Sequence, residues 1–316
     1  MKKPLVILTG PTAVGKTKLS IALAKAIGGE IISADSMQVY KHMDIGSAKI
    51  MPEEMAGVPH FLIDVMEPSE AFNVVTFQMM AKEAMADIYS RGKIPIIVGG
   101  TGFYIQAILN DIEFDENEQS SGIRDKYEQL LCEQGAEVLH QRLAQVDARS
   151  AAEIHPNNSK RVIRALEYFE QTGRTISEHN REQREKQSPY NFAYFVLNDD
   201  RERLYIKIDE RVDKMIIDGL IDEVKDLREQ GLTKEMVSMQ GLGYKEVLEY
   251  LDGVCTLEEA IYRIKRDTRH FAKRQITWFK RERDVIWVNK SEFGYDDEMI
   301  LEYMLKEMML KDVALT

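Results

Sequence analysis

The chain is predicted to fold as an α/β protein, a doubly wound parallel sheet carrying a helical insertion. Three observations in the 316 residues lead there. Apolar strand-like runs alternate with helix-period segments along the N-terminal third, the pattern of a parallel sheet covered on both faces. A glycine-rich octapeptide, Gly10-Pro-Thr-Ala-Val-Gly-Lys16-Thr17, stands between the first such run and the first helical segment. Residues 115–190 then change character: they are densely charged, poor in β-branched runs and rich in helix formers. The chain accordingly divides into a first part of the core (1–114), the insertion (115–190) and a return to the core (191–316).

The elements follow in order. The run at 5–8 reads as a buried strand. The octapeptide after it matches G-x-x-x-x-G-K-[ST] in full, so the core is expected to be P-loop NTPase-like. Backbone N–H groups and a helix N-terminus attract anionic oxygens, Lys16 adds a point charge, and the Thr17 hydroxyl can ligate a magnesium ion (Mg2+). Leu19, Ala22, Leu23, Ala26 and Ile27 then recur at helical spacing. Residues 30–33 read as a second strand, ending at Asp35, and 61–64 as a third. Residues 75–90 form a helix candidate, and 94–98 a strand closed by Gly99-Gly100-Thr101-Gly102. Strand signal returns at 192–197. Helical segments follow, broken near Gly231 and at Gly241-Leu-Gly243, then a long helix at 257–283 and a late strand at 284–288. Ligands of such sheets lie beyond the carboxyl ends of the strands. The octapeptide, Asp35-Ser-Met-Gln-Val-Tyr40 and Gly99-Gly-Thr-Gly-Phe-Tyr104 are therefore expected to converge.

Composition excludes several classes. The apolar share of 44% is ordinary for a globular protein. No run approaches the roughly 18 apolar residues of a membrane span, and the apolar stretch after Lys2 and Lys3 is too short for a signal peptide. Cys132 and Cys255 stand alone, which fits a reducing cytoplasmic setting and excludes a cysteine zinc site. The six histidines form no H-E-x-x-H. The net charge of −11 argues against nucleic acid, yet it is unevenly distributed. Residues 263–283 hold nine Lys/Arg against Asp267 and Glu282, while acids gather at 113–118 and near the C-terminus. Such a stripe can meet phosphates on an acidic protein.

Asp35, at a strand tip near a phosphate cradle, could ligate magnesium through water, accept a proton from a nucleophile, or cap the following turn. Ser36 and Gln38 beside it can pair with a heterocycle edge. The glycines of 99–102 let backbone approach a ligand closely. No acid ends that strand, which weakens the case for ATP hydrolysis. In the long helix Ile261, Ile264, Thr268, Phe271, Ala272, Gln275 and Phe279 form an inward stripe. Lys265, Arg266, Arg269, Lys273, Arg274, Lys280 and Arg281 fill much of the remainder, which favours a polyanionic partner over a plain solvated face. Arg211 could reach diphosphate oxygens or be an ordinary surface arginine.

Together these pieces resemble the bacterial tRNA dimethylallyltransferase (isopentenyl-tRNA transferase) family. The resemblance is carried by the octapeptide, Asp35-Ser-Met-Gln-Val-Tyr40, Met43-Asp-Ile-Gly-Ser-Ala-Lys49 and Val98-Gly-Gly-Thr-Gly-Phe-Tyr104. It continues through Ile154-His-Pro-Asn157, Arg161-Val-Ile-Arg-Ala-Leu-Glu167, Gly241-Leu-Gly-Tyr-Lys-Glu246 and Ala272-Lys-Arg-Gln-Ile-Thr-Trp-Phe279. Asn158 and Phe103 depart from the usual Asp and Leu. The resemblance implies transfer of a dimethylallyl group from dimethylallyl diphosphate to N6 of adenine 37 of tRNA. Gly10, Thr12, Ala13, Val14, Gly15, Lys16 and Thr17 would then bind the diphosphate, with Mg2+ at Thr17. Lys16 and Arg211 would stabilise the leaving group, Asp35 would be the general base, and Thr101 would assist at the adenine with Ser36, Met37 and Gln38. An adenine stacked in the loop cannot expose N6, so it should flip out. Arg124, Lys160, Arg161 and Arg164 of the insertion, with Gly243, Lys273 and Arg274, would meet the anticodon stem-loop. A monomer is expected. The rival expectations are a P-loop kinase using ATP and a non-catalytic RNA-binding switch.

Overall fold

The structure, a computed structural model, describes residues 2–114 and 122–313; the acidic positions from 115 to 118 lie outside the described residues. Its centre is a six-stranded sheet, all parallel, in the order β3-β2-β4-β1-β5-β6. The strands are β1 (Lys3–Thr9), β2 (Glu30–Ala34), β3 (His60–Phe61), β4 (Pro95–Gly99), β5 (Tyr190–Asn198) and β6 (Val285–Asn289). Leu5, Val6, Ile7 and Leu8 are wholly buried, as a central strand covered on both faces requires. In the register, Thr9 of β1 sits opposite Gly99 of β4, and Gly99 opposite Ala34 of β2. Gly10, Asp35 and Gly100 therefore leave the sheet side by side.

The helices are α1 (Lys16–Ile27), α2 (Val74–Ser90), α3 (Gly102–Leu109), α4 (Ile123–Val146), α5 (Ala148–Glu153) and α6 (Ser159–Thr172). They continue with α7 (Ile176–Glu185), α8 (Arg201–Asp218), α9 (Leu220–Glu229), α10 (Tyr244–Leu251), α11 (Leu257–Phe279) and α12 (Asp297–Leu310). Local chemistry sets the boundaries. Asn73 caps α2 by accepting from the amides of Val75 and Thr76, and a Thr256–Glu259 capping box opens α11.

Two expectations are corrected. The third strand is shorter and earlier than 61–64, because Leu62 and Asp64 take positive φ values (62° and 55°) and turn the chain out of the sheet. The long helix stops at Phe279 rather than 283, and residues after Lys280 turn towards β6.

The chain forms two compact units, Met1–Leu109 with Pro189–Thr316, and Asn110–Ser188. The second is helical. Its own core joins Tyr127, Leu139 and Leu143 of α4 to Val162, Ile163 and Leu166 of α6. Gly135 (φ 82°, ψ 170°) breaks α4 into two segments. Buried Asp147 accepts from Ser150 N and Oγ and from Ser177 N, tying α5 to α7.

Candidate active site

The octapeptide loop, the expected phosphate cradle, is shaped by backbone that few side chains tolerate. Gly10 has φ +148°, and a Cβ there would lie 2.3 Å from the Leu197 carbonyl oxygen. Ala13 (φ 63°) and Gly15 (φ 99°) continue the left-handed path that turns the loop into α1. Lys16 Nζ, at the start of α1, donates to Gly10 O (3.0 Å) and Pro11 O (2.9 Å). Burial pushes its ammonium down to about 8, the positive Arg211 pushes the same way, and Asp35 opposes both. Arg211, on α8, approaches Thr12 Oγ1 at 3.5 Å. Burial lowers its guanidinium as well, again against Asp35. Two cations and one carboxylate thus share one electrostatic neighbourhood.

Asp35 Oδ1 accepts from the amides of Met37 (2.8 Å) and Gln38 (3.4 Å). One oxygen thereby caps the turn, while Oδ2 has no hydrogen bond among the described residues. The capping and proton-accepting readings of this residue are compatible, because each uses a different oxygen.

The glycine loop after β4 lies against its neighbours. A Cβ on Gly99 would meet Ala34 O at 2.3 Å. Thr9 Oγ1 donates to Gly99 O (2.7 Å), and Thr101 N to Ala34 O (3.3 Å). α11 closes this wall. Gln275 Oε1 accepts from Thr12 N (2.9 Å) and its Nε2 donates to Gly100 O (3.0 Å). Added Cβ atoms on Gly100 and Gly102 would strike Gln275 and Trp278, each at 2.2 Å. Phe103, 36% exposed, meets the Trp278 ring edge-on at 6.3 Å between centroids.

A second shelf supports the Asp35 turn. Glu223 of α9 accepts from the amides of Asp44 (2.8 Å), Ile45 (2.7 Å) and Gly46 (3.1 Å) and from Tyr244 Oη (2.7 Å). Lys49, buried, donates to Tyr40 O and to the carboxylates of Asp44 and Asp64. Gln38 Nε2 donates to Ala48 O (3.1 Å), and Ser33 Oγ donates to Gln38 Oε1 (3.4 Å). Gly241 leaves room for Met37, whose Cε lies 2.5 Å from where a Cβ would be. Gly243 (φ 95°) heads α10, its amide donating to Glu246 (2.8 Å).

The basic stripe of α11 divides in two. Arg263 pairs with Glu249, Lys265 with Asp213, Arg266 with Asp267, and Arg269 with both oxygens of Asp209. Asp209 and Asp213 lie one turn apart on α8 and meet two cations one turn apart on α11. This N-terminal half is internally compensated, which corrects the expectation of one continuous phosphate-facing stripe. Lys273, Lys280, Arg281 and Arg283 have no ion pair among the described residues. Exposed Arg274 lies 5.8 Å from the Phe271 ring centroid. In the Asn110–Ser188 unit, Lys160, Arg161 and Arg164 are exposed on α6, and Arg124 pairs with Glu128 and Glu167.

Among the described residues no group of three or more His, Cys, Asp or Glu forms a metal cage. Mg2+ commonly binds through one or two protein oxygens and substrate phosphates, and the exposed Thr17 at the mouth of the cradle fits that mode. No helix of the described residues is long and apolar enough to cross a membrane.

Sequence reading assigned Gln275 to the inward stripe, where a polar residue among apolar ones was its only signal. Glu223 and Tyr244 gave no local signal of their shared task, since their partners lie far away in the chain.

Comparison with known proteins identifies the family. The IPP transferase family matches residues 38–282. A tRNA dimethylallyltransferase of Lachnoclostridium phytofermentans is 62% identical over 311 residues, 98% of this chain and 99% of that protein. The full-length tRNA isopentenylpyrophosphate transferase of Bacillus halodurans superposes with a TM-score of 0.74 at 44% identity, covering 98% of both chains. A eukaryotic dimethylallyltransferase, crystallised acting on tRNA, gives a TM-score of 0.78 at 34% identity, covering 91% of this chain and 74% of its own.

Proposed function

Because the chain belongs to the IPP transferase family, we propose that it transfers a dimethylallyl group from dimethylallyl diphosphate to N6 of adenine 37 of tRNA, next to the anticodon. The observation that carries this reading is the meeting of three loops past adjacent strands: a cradle with Lys16 and Arg211, a carboxylate with one unengaged oxygen, and an open glycine loop.

The donor's diphosphate lies in the cradle formed by Gly10, Thr12, Ala13, Val14, Gly15, Lys16 and Thr17. Lys16 and Arg211 stabilise the negative charge that grows on it as the allylic C–O bond breaks. Thr17 would hold a magnesium ion there, which when bound offsets further charge on the diphosphate. An aromatic amine is a weak nucleophile because its lone pair is delocalised into the ring. As the N6 lone pair forms the C–N bond, the C–O electrons leave with diphosphate and the N6 proton passes to Asp35 Oδ2. Thr101 and Ser36, with Met37 and Gln38 of the Asp35 turn, frame the flipped adenine. Lys273 and Arg274 of α11 with Gly243, and Arg124, Lys160, Arg161 and Arg164, would contact the stem-loop, the cations chiefly through its phosphates. The free thiols of Cys132 and Cys255 suit a cytoplasmic setting, and a monomer is taken as the working species.

Incubation with unmodified tRNA and labelled dimethylallyl diphosphate, without ATP, should convert one adenosine to its dimethylallyl form, read by nucleoside mass. Phosphorylation of a small metabolite by ATP, with no prenyl transfer, would overturn the proposal.

A further inference from the structure

We infer that Gln275 is a positioning residue, a bridge that sets the distance between donor and acceptor walls; this rests on the prenyl-transfer reading above. Gln275 is 6% exposed, on a face where Ala272 and Phe279 are apolar and wholly buried. Its amide joins two loops that, among the described residues, no other side chain hydrogen-bonds together beyond the sheet. The parallel ladder of β1 and β4 ends at Thr9 and Gly99, and the Thr9 hydroxyl adds one bond at that level. Past it, the chain on one side becomes the diphosphate cradle and on the other the loop leading to Thr101. The Gln275 amide supplies the next rung, accepting from Thr12 N and donating to Gly100 O. Only Asn and Gln present an N–H donor and an oxygen acceptor on one carbon. The loop is shaped to admit the bridge, since any Cβ on Gly100 would collide with Nε2.

Two consequences follow for the reaction. The Thr12 N–H is taken up by Gln275, so phosphate oxygens are left to the amides after it. The donor carbon travels with the cradle and the acceptor nitrogen with the Gly99–Thr101 side. Reacting atoms must come within about 3–3.5 Å, and a displacement of about 1 Å can cost about 10²-fold in rate. A single side chain spanning the two walls therefore governs that separation without touching either substrate.

Gln275→Leu and Gln275→Glu test this in the full-length protein. The Leu variant should lose about 10²-fold in kcat with the tRNA dissociation constant unchanged. It should bind inorganic pyrophosphate about tenfold more weakly, the loss of one well-made hydrogen bond in the cradle. The Glu variant sets a carboxylate against the Gly100 carbonyl at high pH. Once protonated, it again offers a donor and an acceptor. Its kcat relative to the parent should therefore climb as pH falls from about 8 to about 6, with burial favouring protonation in that range. A purely structural residue would lower the melting temperature and leave that ratio flat. A flat ratio, or parental kcat and pyrophosphate affinity in a folded Leu variant, overturns the inference. Should the Leu variant fail to fold, the Glu profile decides. If the parent itself transfers no prenyl group, the functional reading falls, and unchanged pyrophosphate affinity in both variants would still refute the bridge.

Discussion

Raising the pH should weaken diphosphate binding through Lys16 alone. Its ammonium is held down to about 8, first by burial, then by repulsion from Arg211, with Asp35 pulling the other way. The charged form is the one that grips phosphate, so affinity is full below about pH 8 and declines above it. With a midpoint of about 8, the charged fraction is about 10/11 at pH 7 and about 1/11 at pH 9, a tenfold change. Calorimetric titration with pyrophosphate, comparing the parent with Lys16→Met in the same buffers, isolates this. The ligand's own ionisation is common to both proteins and cancels in their affinity ratio, which should drop about tenfold between about pH 7 and about pH 9. Arg211→Gln removes the repelling cation and should move the midpoint upward. The same shift makes Lys16 a cost to folding. Its folded value lies below the unfolded 10.5, so the penalty is complete below about pH 8 and fades as pH rises towards 10.5. Lys16→Met should therefore melt higher than the parent at neutral pH. A ratio that stays constant or rises with pH would refute the reasoning.

Three further outcomes are expected. Asp35→Asn keeps a side-chain oxygen to cap the turn at Met37 and loses the proton acceptor; kcat should fall by about 10²–10⁴-fold at unchanged tRNA affinity, and undiminished turnover would remove Asp35 from the mechanism. Lys273→Ala and Arg274→Ala should each lower the salt slope of tRNA binding by about one, whereas Arg269→Ala should chiefly lower the melting temperature by stranding Asp209; identical slopes for all three would contradict the division of α11. Glu223→Ala removes the acceptor of three backbone amides and the Tyr244 hydroxyl and should destabilise the protein by about 2–3 kcal/mol in urea melts.

Legibility in the sequence followed the range of each interaction. The apolar runs at 5–8 and 94–98 foretold strands because burial on both faces leaves a continuous local signature. The glycines of 99–102 read as room for a ligand to approach backbone; in the fold Gly99 abuts the Ala34 carbonyl, and Gly10 the Leu197 carbonyl, each from another strand. The third strand was misplaced because Leu62 and Asp64 take positive φ and turn the chain out of the sheet, which the apolar residues 61–63 do not reveal. The pairing of Lys265 and Arg269 was invisible because their partners belong to another helix, and Arg269 lies 60 residues from Asp209. Gln275 and Thr12 are 263 residues apart, so no local pattern could connect them.

The charge distribution resolves how an acidic chain can serve an RNA substrate. Acids on α8, together with Glu249, neutralise the first half of α11 and anchor it. The second half is left positive, and it is the half that touches the loop at Gly100 and Gly102. Lys273 and Arg274 of α11, and Lys280 and Arg281 just past its end, are exposed, while Gln275 and Trp278 face Gly100 and Gly102. The helix that walls the glycine loop thus also carries exposed cations, with Lys273 on the side opposite Gln275 and Trp278. Local positive potential concentrates a polyanion where the field is, not where the net charge would put it. If the proposed function holds, an RNA bound by the cations at 273–281 lies beside the glycine loop that its base has to reach.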